Sequence, residues 1–207
     1  MSMGAVVPLL REEVAPKPRT PLRKPNAELR TREHLTGPEV EKLIEAAKFN
    51  RHGHRDATMI LVAYRHGLRA SEVCDLRWDQ VHFTSANLDV RRRKAGTPST
   101  HPLGGSELRA LRKLKRDQEP PSPFVFTSER KVPFSTEGFA RMLQRAAKAA
   151  RMTVKVHPHM LRHACGFKLA NDGRDSRSIQ SYLGHKNIQH TVRYTELAPG
   201  RFKGFWD

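Results

Sequence analysis

The chain has 207 residues, with 38 Lys and Arg against 21 Asp and Glu, and a net charge of +17. Hydrophobic residues make up 37%, enough to bury a core, and the cationic surplus points to a polyanionic partner, without by itself choosing between nucleic acid and an anionic membrane. No apolar run is long enough to span a bilayer, the Ala5–Leu10 stretch lacks a basic leader and is broken by Pro8, and Cys74 and Cys165 alone make neither a disulfide framework nor a zinc cage, which fits a reduced, cytosolic setting.

Residues 1–35 read as a basic tail interrupted by Pro8, Pro16, Pro18, Pro21 and Pro25, with little to bury after Leu10. Folding signals begin at Leu35. Thr36 is placed to cap a helix, with Pro38 in the first turn and Glu39 as the reciprocal cap. Val40, Leu43, Ile44 and Ala47 then share one face. A second helix is predicted from about Arg55 to His66, stopped by Gly67, and a short third from Ala70 to Leu76. The period changes at Val81, Phe83, Leu88 and Val90, and Thr100–Leu103 follows a Gly-Thr-Pro turn. This predicts a small antiparallel sheet with a hairpin near Ala95–Ser99. Further helices are expected over Ser106–Lys115, Ser135–Ala150, His157–Ala170, Ser176–Leu183 and Asn187–Glu196, with a short buried strand or turn at Phe124–Phe126. The fold class is mostly α with a small antiparallel β-sheet, in the α+β class.

Four clusters carry chemistry. His66-Gly-Leu-Arg-Ala-Ser-Glu72 sets Arg69 just after a helix stop, and Arg91-Arg-Arg-Lys94 sets Lys94 at a hairpin tip. His157-Pro-His159-Met-Leu-Arg162-His163 puts His159, Arg162 and His163 on one helical face. Leu183-Gly-His185 is followed nine residues later by Tyr194. Taken one at a time, each has a bland reading. Arg69 pairs with Glu72, Lys94 is any phosphate contact, Tyr194 is a packed core tyrosine, and His157, His159, His163 and Cys165 make a loose metal set without the Glu of a His-Glu-x-x-His site. His163 is expected to pack or bond beneath the site, and Tyr64 to be core.

In this order the clusters resemble the tyrosine recombinase, or phage integrase, family over residues 35–207. Leu35-Thr-Gly-Pro-Glu-Val40, Thr100-His-Pro-Leu103 and the ending Arg193-Tyr-Thr, Arg201-Phe, Trp206-Asp207 are most similar to its short members that invert fimbrial promoter segments. The resemblance implies a site-specific DNA recombinase working through a 3′-phosphotyrosine intermediate, without metal, cofactor or ATP, whose outcome is DNA inversion or else integration and excision. Tyr194 is then the nucleophile, Arg69, Arg162 and His159 the donors to the non-bridging oxygens, and Lys94 (Arg93 in a hairpin one residue shorter) the general acid. His185 is a hydrogen-bond donor or a base. Two arginine forks and a histidine suit that task, because planar guanidinium groups match phosphate oxygens in pairs. Cleavage is expected to fall at acid and alkaline extremes through His159 and His185.

The implied partners are double-stranded DNA and further copies of the chain. The family's working form is a homotetramer on two paired sites, assembled from monomers or dimers, with accessory DNA-bending proteins and no membrane. The setting is the cytoplasm, at the nucleoid. Arg141, Gln144, Arg145 and Lys148 are the candidate DNA-reading residues. The expected organisation is a tail over 1–35 and a catalytic domain over 36–207, with no room for the separate helical module that most members carry ahead of it. Phe202, Phe205 and Trp206 are expected to pack on their own domain or on a neighbouring protomer. Two other functions stay open: a catalytically silent DNA-binding regulator and a type IB topoisomerase-like enzyme.

Overall fold

Thr36 adopts the extended backbone of a helix cap, and Glu39 accepts hydrogen bonds from its amide at 2.8 Å and its hydroxyl at 2.9 Å. That reciprocal cap starts α1 (Gly37–Ala47), which buries Val40, Leu43 and Ala47. α2 (Gly53–Arg65) follows and is buried along most of its length. It stops at Gly67, whose φ of +56° suits glycine. The site is doubly restricted, because a Cβ there would stand 2.4 Å from Leu183 Cδ2. Arg69 then caps the short α3 (Ala70–Cys74).

The computed structural model describes residues 32–92 and 96–196, which belong to one compact unit beginning at Arg32. Most of the expected tail, Arg93, Lys94 and the Phe202, Phe205 and Trp206 cluster lie outside the described residues.

A 3₁₀ turn at Trp78–Gln80 leads into β1 (Val81–His82), β2 (Asn87–Val90) and β3 (Ser99–Pro102). The three strands are antiparallel in chain order, with Val81 opposite Leu88, Leu88 opposite His101, and Val90 opposite Ser99. β1 is shorter than the alternation predicts. Phe83 leaves the ladder and packs on the core edge, with Trp78 6.2 Å away. Phe124 makes a lone bridge to Arg77, while Val125 and Phe126 are fully buried, so this stretch adds no strand to the sheet.

The second half is helical: α4 (Gly105–Arg116), α5 (Thr136–Ala149), α6 (Pro158–Asn171), α7 (Ser176–Leu183) and α8 (Gln189–Glu196). Ser135 caps α5 by accepting the Gly138 amide, and Asp175 caps α7 by accepting the amides of Arg177 and Ser178. Pro158 occupies the first turn of α6, where its missing N–H costs nothing. The main apolar core gathers residues from α1 to α6 and the sheet. A second, smaller cluster joins Cys165, Phe167 and Ala170 of α6 to Ile179 and Leu183 of α7 and Tyr194 of α8. The candidate site lies where these two clusters meet.

Candidate active site

Two glycine turns, at Gly67 after α2 and Gly184 after α7, set the arginines. Arg162 is 2% exposed, and it donates to the Gly67 carbonyl at 2.5 Å and the Leu183 carbonyl at 2.7 Å. Burial, helped by the neighbouring charges of Arg69 and Arg92, pulls its pKa down to about 10. It still carries its proton at neutral pH. Arg69 is more open, and its guanidinium donates to Glu72 at 2.7 Å. Glu72 also accepts the Arg69 amide at 2.9 Å and Arg92 at 2.9 Å. Burial pushes the Glu72 carboxyl up, but the Arg69 amide and the Arg92 and Arg69 charges outweigh it and hold the group below its ordinary value.

Arg92 escaped the sequence reading. It is one of four consecutive basic residues, and such runs are ordinarily solvated. Here its side chain is fully buried. Beyond Glu72 it reaches the backbone carbonyls of His66, Gly67 and Tyr182. Behind this group His66 Nδ1 lies 3.1 Å from His101 Nδ1, and the His101 ring stacks on Tyr182 at 3.7 Å. Burial, reinforced by His66 and Arg92, pushes the His101 pKa down to about 3.

Tyr194 is 1% exposed, and its hydroxyl meets His163 Nδ1 at 2.8 Å. Phe167 packs edge-on against the ring at 5.1 Å, and Gly166 lies beneath it, where a Cβ would stand 2.6 Å from the ring. Burial raises the phenol's pKa, while Arg162 and Arg193 pull it back. His163 is driven down to about 3 by burial, then by His159 and Arg162, so it is neutral and able to accept the phenolic proton's hydrogen bond. α8 is also tied from outside, since Arg193 forms an ion pair with Glu33. Next to Glu33, the His34 ring lies 3.9 Å from the Phe167 ring.

His185 Nδ1 bonds Thr191 Oγ1 at 2.8 Å, and its ring lies parallel to Tyr194 at 6.3 Å. Burial and the charges of Arg162 and Arg69 push its pKa down to about 3, which moves its titration out of the neutral range expected from sequence. His159 is exposed at the start of α6 and meets His163 edge-on at 4.8 Å. The structure therefore brings Arg69, Arg162, His185 and Tyr194 together, with His159 at the rim. The residue bonded to the tyrosine is His163, which sequence reasoning put beneath the site without naming this contact. Among the described residues, no three His, Cys, Asp or Glu side chains gather as a metal site.

Arg141, Gln144, Arg145 and Lys148 are all exposed on α5, opposite the face that buries Phe139, Met142, Leu143, Ala146 and Ala147. Arg141 and Arg145 line a groove with Arg55 and Arg130.

The order of these boxes and their convergence match a known pattern. The model of the phage integrase family matches residues 33–201. The chain belongs to that family. It is a site-specific tyrosine recombinase, and the phosphotyrosine mechanism comes with membership. This recombinase is 41% identical over 188 residues to the type 1 fimbriae regulatory protein FimB of Escherichia coli K12, covering 89% of this chain and 94% of that one. It is 39% identical over 181 residues to FimE of the same strain, covering 85% and 91%. The crystal structure of XerA recombinase superposes with a TM-score of 0.72 at 28% identity, over 84% of this chain and 63% of that chain. The chain thus spans under two thirds of that longer relative. No helix among the described residues is long and apolar enough to cross a membrane.

Proposed function

We propose that this recombinase cuts and rejoins duplex DNA at paired sites, with Tyr194 as nucleophile. The Tyr194 hydroxyl gives up its proton to solvent as its oxygen attacks the scissile phosphorus, a tyrosine–phosphorus bond forms, and the bond to the 5′ oxygen breaks. Lys94 supplies the proton that the departing 5′ oxygen needs. A 5′-hydroxyl from the partner duplex then gives its proton to Lys94, attacks the phosphotyrosine and restores a phosphodiester, while the Tyr194 oxygen leaves and takes a proton from solvent. Bond number is conserved, so no ATP is consumed.

Arg69 and Arg162 hold the two non-bridging oxygens, with His159 and His185 as further donors. Fixed donors of this type each stabilise such a transition state by about 3–4 kcal/mol. The observation that carries the reading is the meeting of Arg69, Arg162 and His185 beside the Tyr194 ring. A tyrosine that is 1% exposed, with its hydroxyl bonded to His163, does not meet a phosphate arriving from solvent. Turning α8 outward, which breaks the His163 contact, is therefore part of the reaction.

The exposed face of α5, with Arg141, Gln144, Arg145 and Lys148, lies against DNA, and the basic tail over 1–35 adds phosphate contacts. Each neutralised phosphate steepens the log–log salt dependence by about 0.9. Four protomers act on two sites, assisted by DNA-bending proteins. The outcome is inversion of a DNA segment, by analogy with the fimbrial regulators FimB and FimE.

The test is covalent trapping. The protein is incubated with fragmented genomic DNA from its own source in chelator and quenched with SDS, with Tyr194→Phe alongside. An adduct in the wild type alone supports the reading, and sequencing the trapped DNA gives the site. Equal DNA binding with no adduct, even on a nicked substrate that blocks religation, would favour a silent DNA-binding regulator.

A further inference from the structure

Among the described residues, Arg69 and Arg92 bond the Glu72 carboxylate and Arg162 lies within reach of its charge, and of these three only Arg69 and Arg162 have a task in the proposed chemistry. Arg69 and Arg162 are assigned to the phosphate in the proposed reaction, whereas Arg92, with a fully buried side chain, is not. Burying a charge away from solvent is costly unless it is paired and bonded. The bonds that Arg92 makes are therefore informative.

Each partner of Arg92 is shared with, or adjacent to, a partner of the other two arginines. Glu72 Oε2 accepts Arg92 at 2.9 Å and the Arg69 amide at 2.9 Å, while Glu72 Oε1 accepts the Arg69 guanidinium at 2.7 Å. The Gly67 carbonyl accepts Arg92 at 3.4 Å and Arg162 at 2.5 Å. The Tyr182 carbonyl accepts Arg92, and the next carbonyl, Leu183, accepts Arg162 at 2.7 Å. The packing agrees. Gly184, with φ +64°, lies over the Arg92 stem, where a Cβ would stand 2.8 Å from Arg92 Cγ. A Cβ on Gly96 would stand 2.9 Å from Arg92 Cβ.

We infer that Arg92 is a positioning residue, which fixes the orientations of Arg69 and Arg162 by holding Glu72 and the Gly67 and Tyr182–Leu183 turns in one arrangement. This rests on the proposed phosphate role of Arg69 and Arg162. Three arginines against one glutamate leave the cluster cationic, and their mutual repulsion would splay them without the shared acceptors. Lysine is a poor substitute, because one ammonium lacks the planar fork that spans a carboxylate and separate carbonyls.

The experiment compares two substrates in single-turnover cleavage. One carries the ordinary scissile phosphodiester. In the other a methyl group replaces a non-bridging oxygen, so the reacting phosphorus has no negative charge to neutralise. Arg92→Met is expected to lower cleavage of the ordinary substrate on the order of 100-fold, the scale of a misplacement near 1 Å, with DNA affinity unchanged. On the methylphosphonate the deficit relative to wild type should shrink to less than about tenfold. Arg92→Lys should show the same pattern with a smaller loss.

Arg69→Ala is the control. If the methylphosphonate rescues Arg69→Ala but neither Arg92 variant, Arg92 does not act through the phosphate arginines and the inference falls, while the site reading stands. If Arg69→Ala is not rescued, the site reading itself falls. Loss of cooperative melting in both Arg92 variants would make Arg92 a folding residue and overturn the inference.

Discussion

The arginine side and the tyrosine side of the cleft are built on opposite plans. Arg162 and Arg92 are fastened to backbone carbonyls at the ends of α2 and α7, and Arg69 is fastened to Glu72. Tyr194 sits on the eight-residue α8, with one hydrogen bond on its hydroxyl and one surface ion pair beside it. The difference teaches where reactivity is withheld. In the proposed reaction the arginines are already fixed in place before DNA arrives, and fixed donors need little reorganisation during reaction. Tyr194, the proposed nucleophile, lies in an apolar cluster where burial raises its pKa, and in the proposed reaction moving a short helix releases it.

The largest expected effect separates the two phosphate arginines from each other. Arg69→Ala and Arg162→Ala should each slow single-turnover cleavage about 10²–10³-fold. Arg162→Ala should also lower the melting temperature clearly, because it removes the Arg162 donor from the Leu183 carbonyl and leaves the Gly67 carbonyl only the longer bond from Arg92. The cost of orphaned buried acceptors is about 1–3 kcal/mol each. Equal melting temperatures for the two variants would show that Arg162 is not structurally embedded as its contacts imply.

Gly166→Ala attacks the tyrosine side. The new methyl would stand 2.6 Å from the Tyr194 ring, so the stored position should lose about 1–3 kcal/mol. Thermal stability should fall while adduct formation holds or rises. A fall in adduct matching the loss of stability would mean that the stored position is also the reacting one.

The buried histidines predict acid lability on both sides. His101 and His163 have folded pKa values near 3, pulled below the ordinary 6.5 by burial first. Below pH 6.5 the unfolded chain therefore binds more protons than the folded one. Their stability contribution is full above pH 6.5 and is lost progressively as pH falls towards 3. Melting temperature should drop on the order of 5–10 °C between pH 7 and pH 5. His163→Phe should make that drop shallower, and an unchanged slope would remove His163 from the account. The smallest effect belongs to Glu33→Gln. Its half-exposed pair with Arg193 is worth at most about 1 kcal/mol, so freeing α8 should speed cleavage by no more than about fivefold. Slower cleavage would show that the pair supports the reacting arrangement instead.

Much of this division was visible before the structure. α7 begins and ends where the sequence places it, because Asp175 and Gly184 mark both ends with local chemistry. Thr36 and Glu39 did the same for α1. The boxes containing Arg69, Arg162, His185 and Tyr194 were legible through their order and spacing. What stayed hidden depends on distant neighbours. Arg92 is a fourth-part share of a basic run in the sequence, and only the turns at Gly67 and Tyr182 make it internal. The Tyr194–His163 bond joins residues 31 apart on different helices, and no periodicity reports it. Phe83 was assigned to a strand by alternation, but the ladder of β1 ends at His82 and the ring turns to the core edge.

The Glu33–Arg193 pair joins positions 160 residues apart, and Tyr194 follows both arginines in the chain. Protein synthesis runs in that same direction. A chain that ends before Tyr182 lacks the carbonyls that hold Arg92 and Arg162, so the arginine cluster cannot be completed until synthesis has nearly reached the tyrosine. The arginine cluster and the buried tyrosine are therefore completed within the same last stretch of the chain, each by a contact to a residue made earlier.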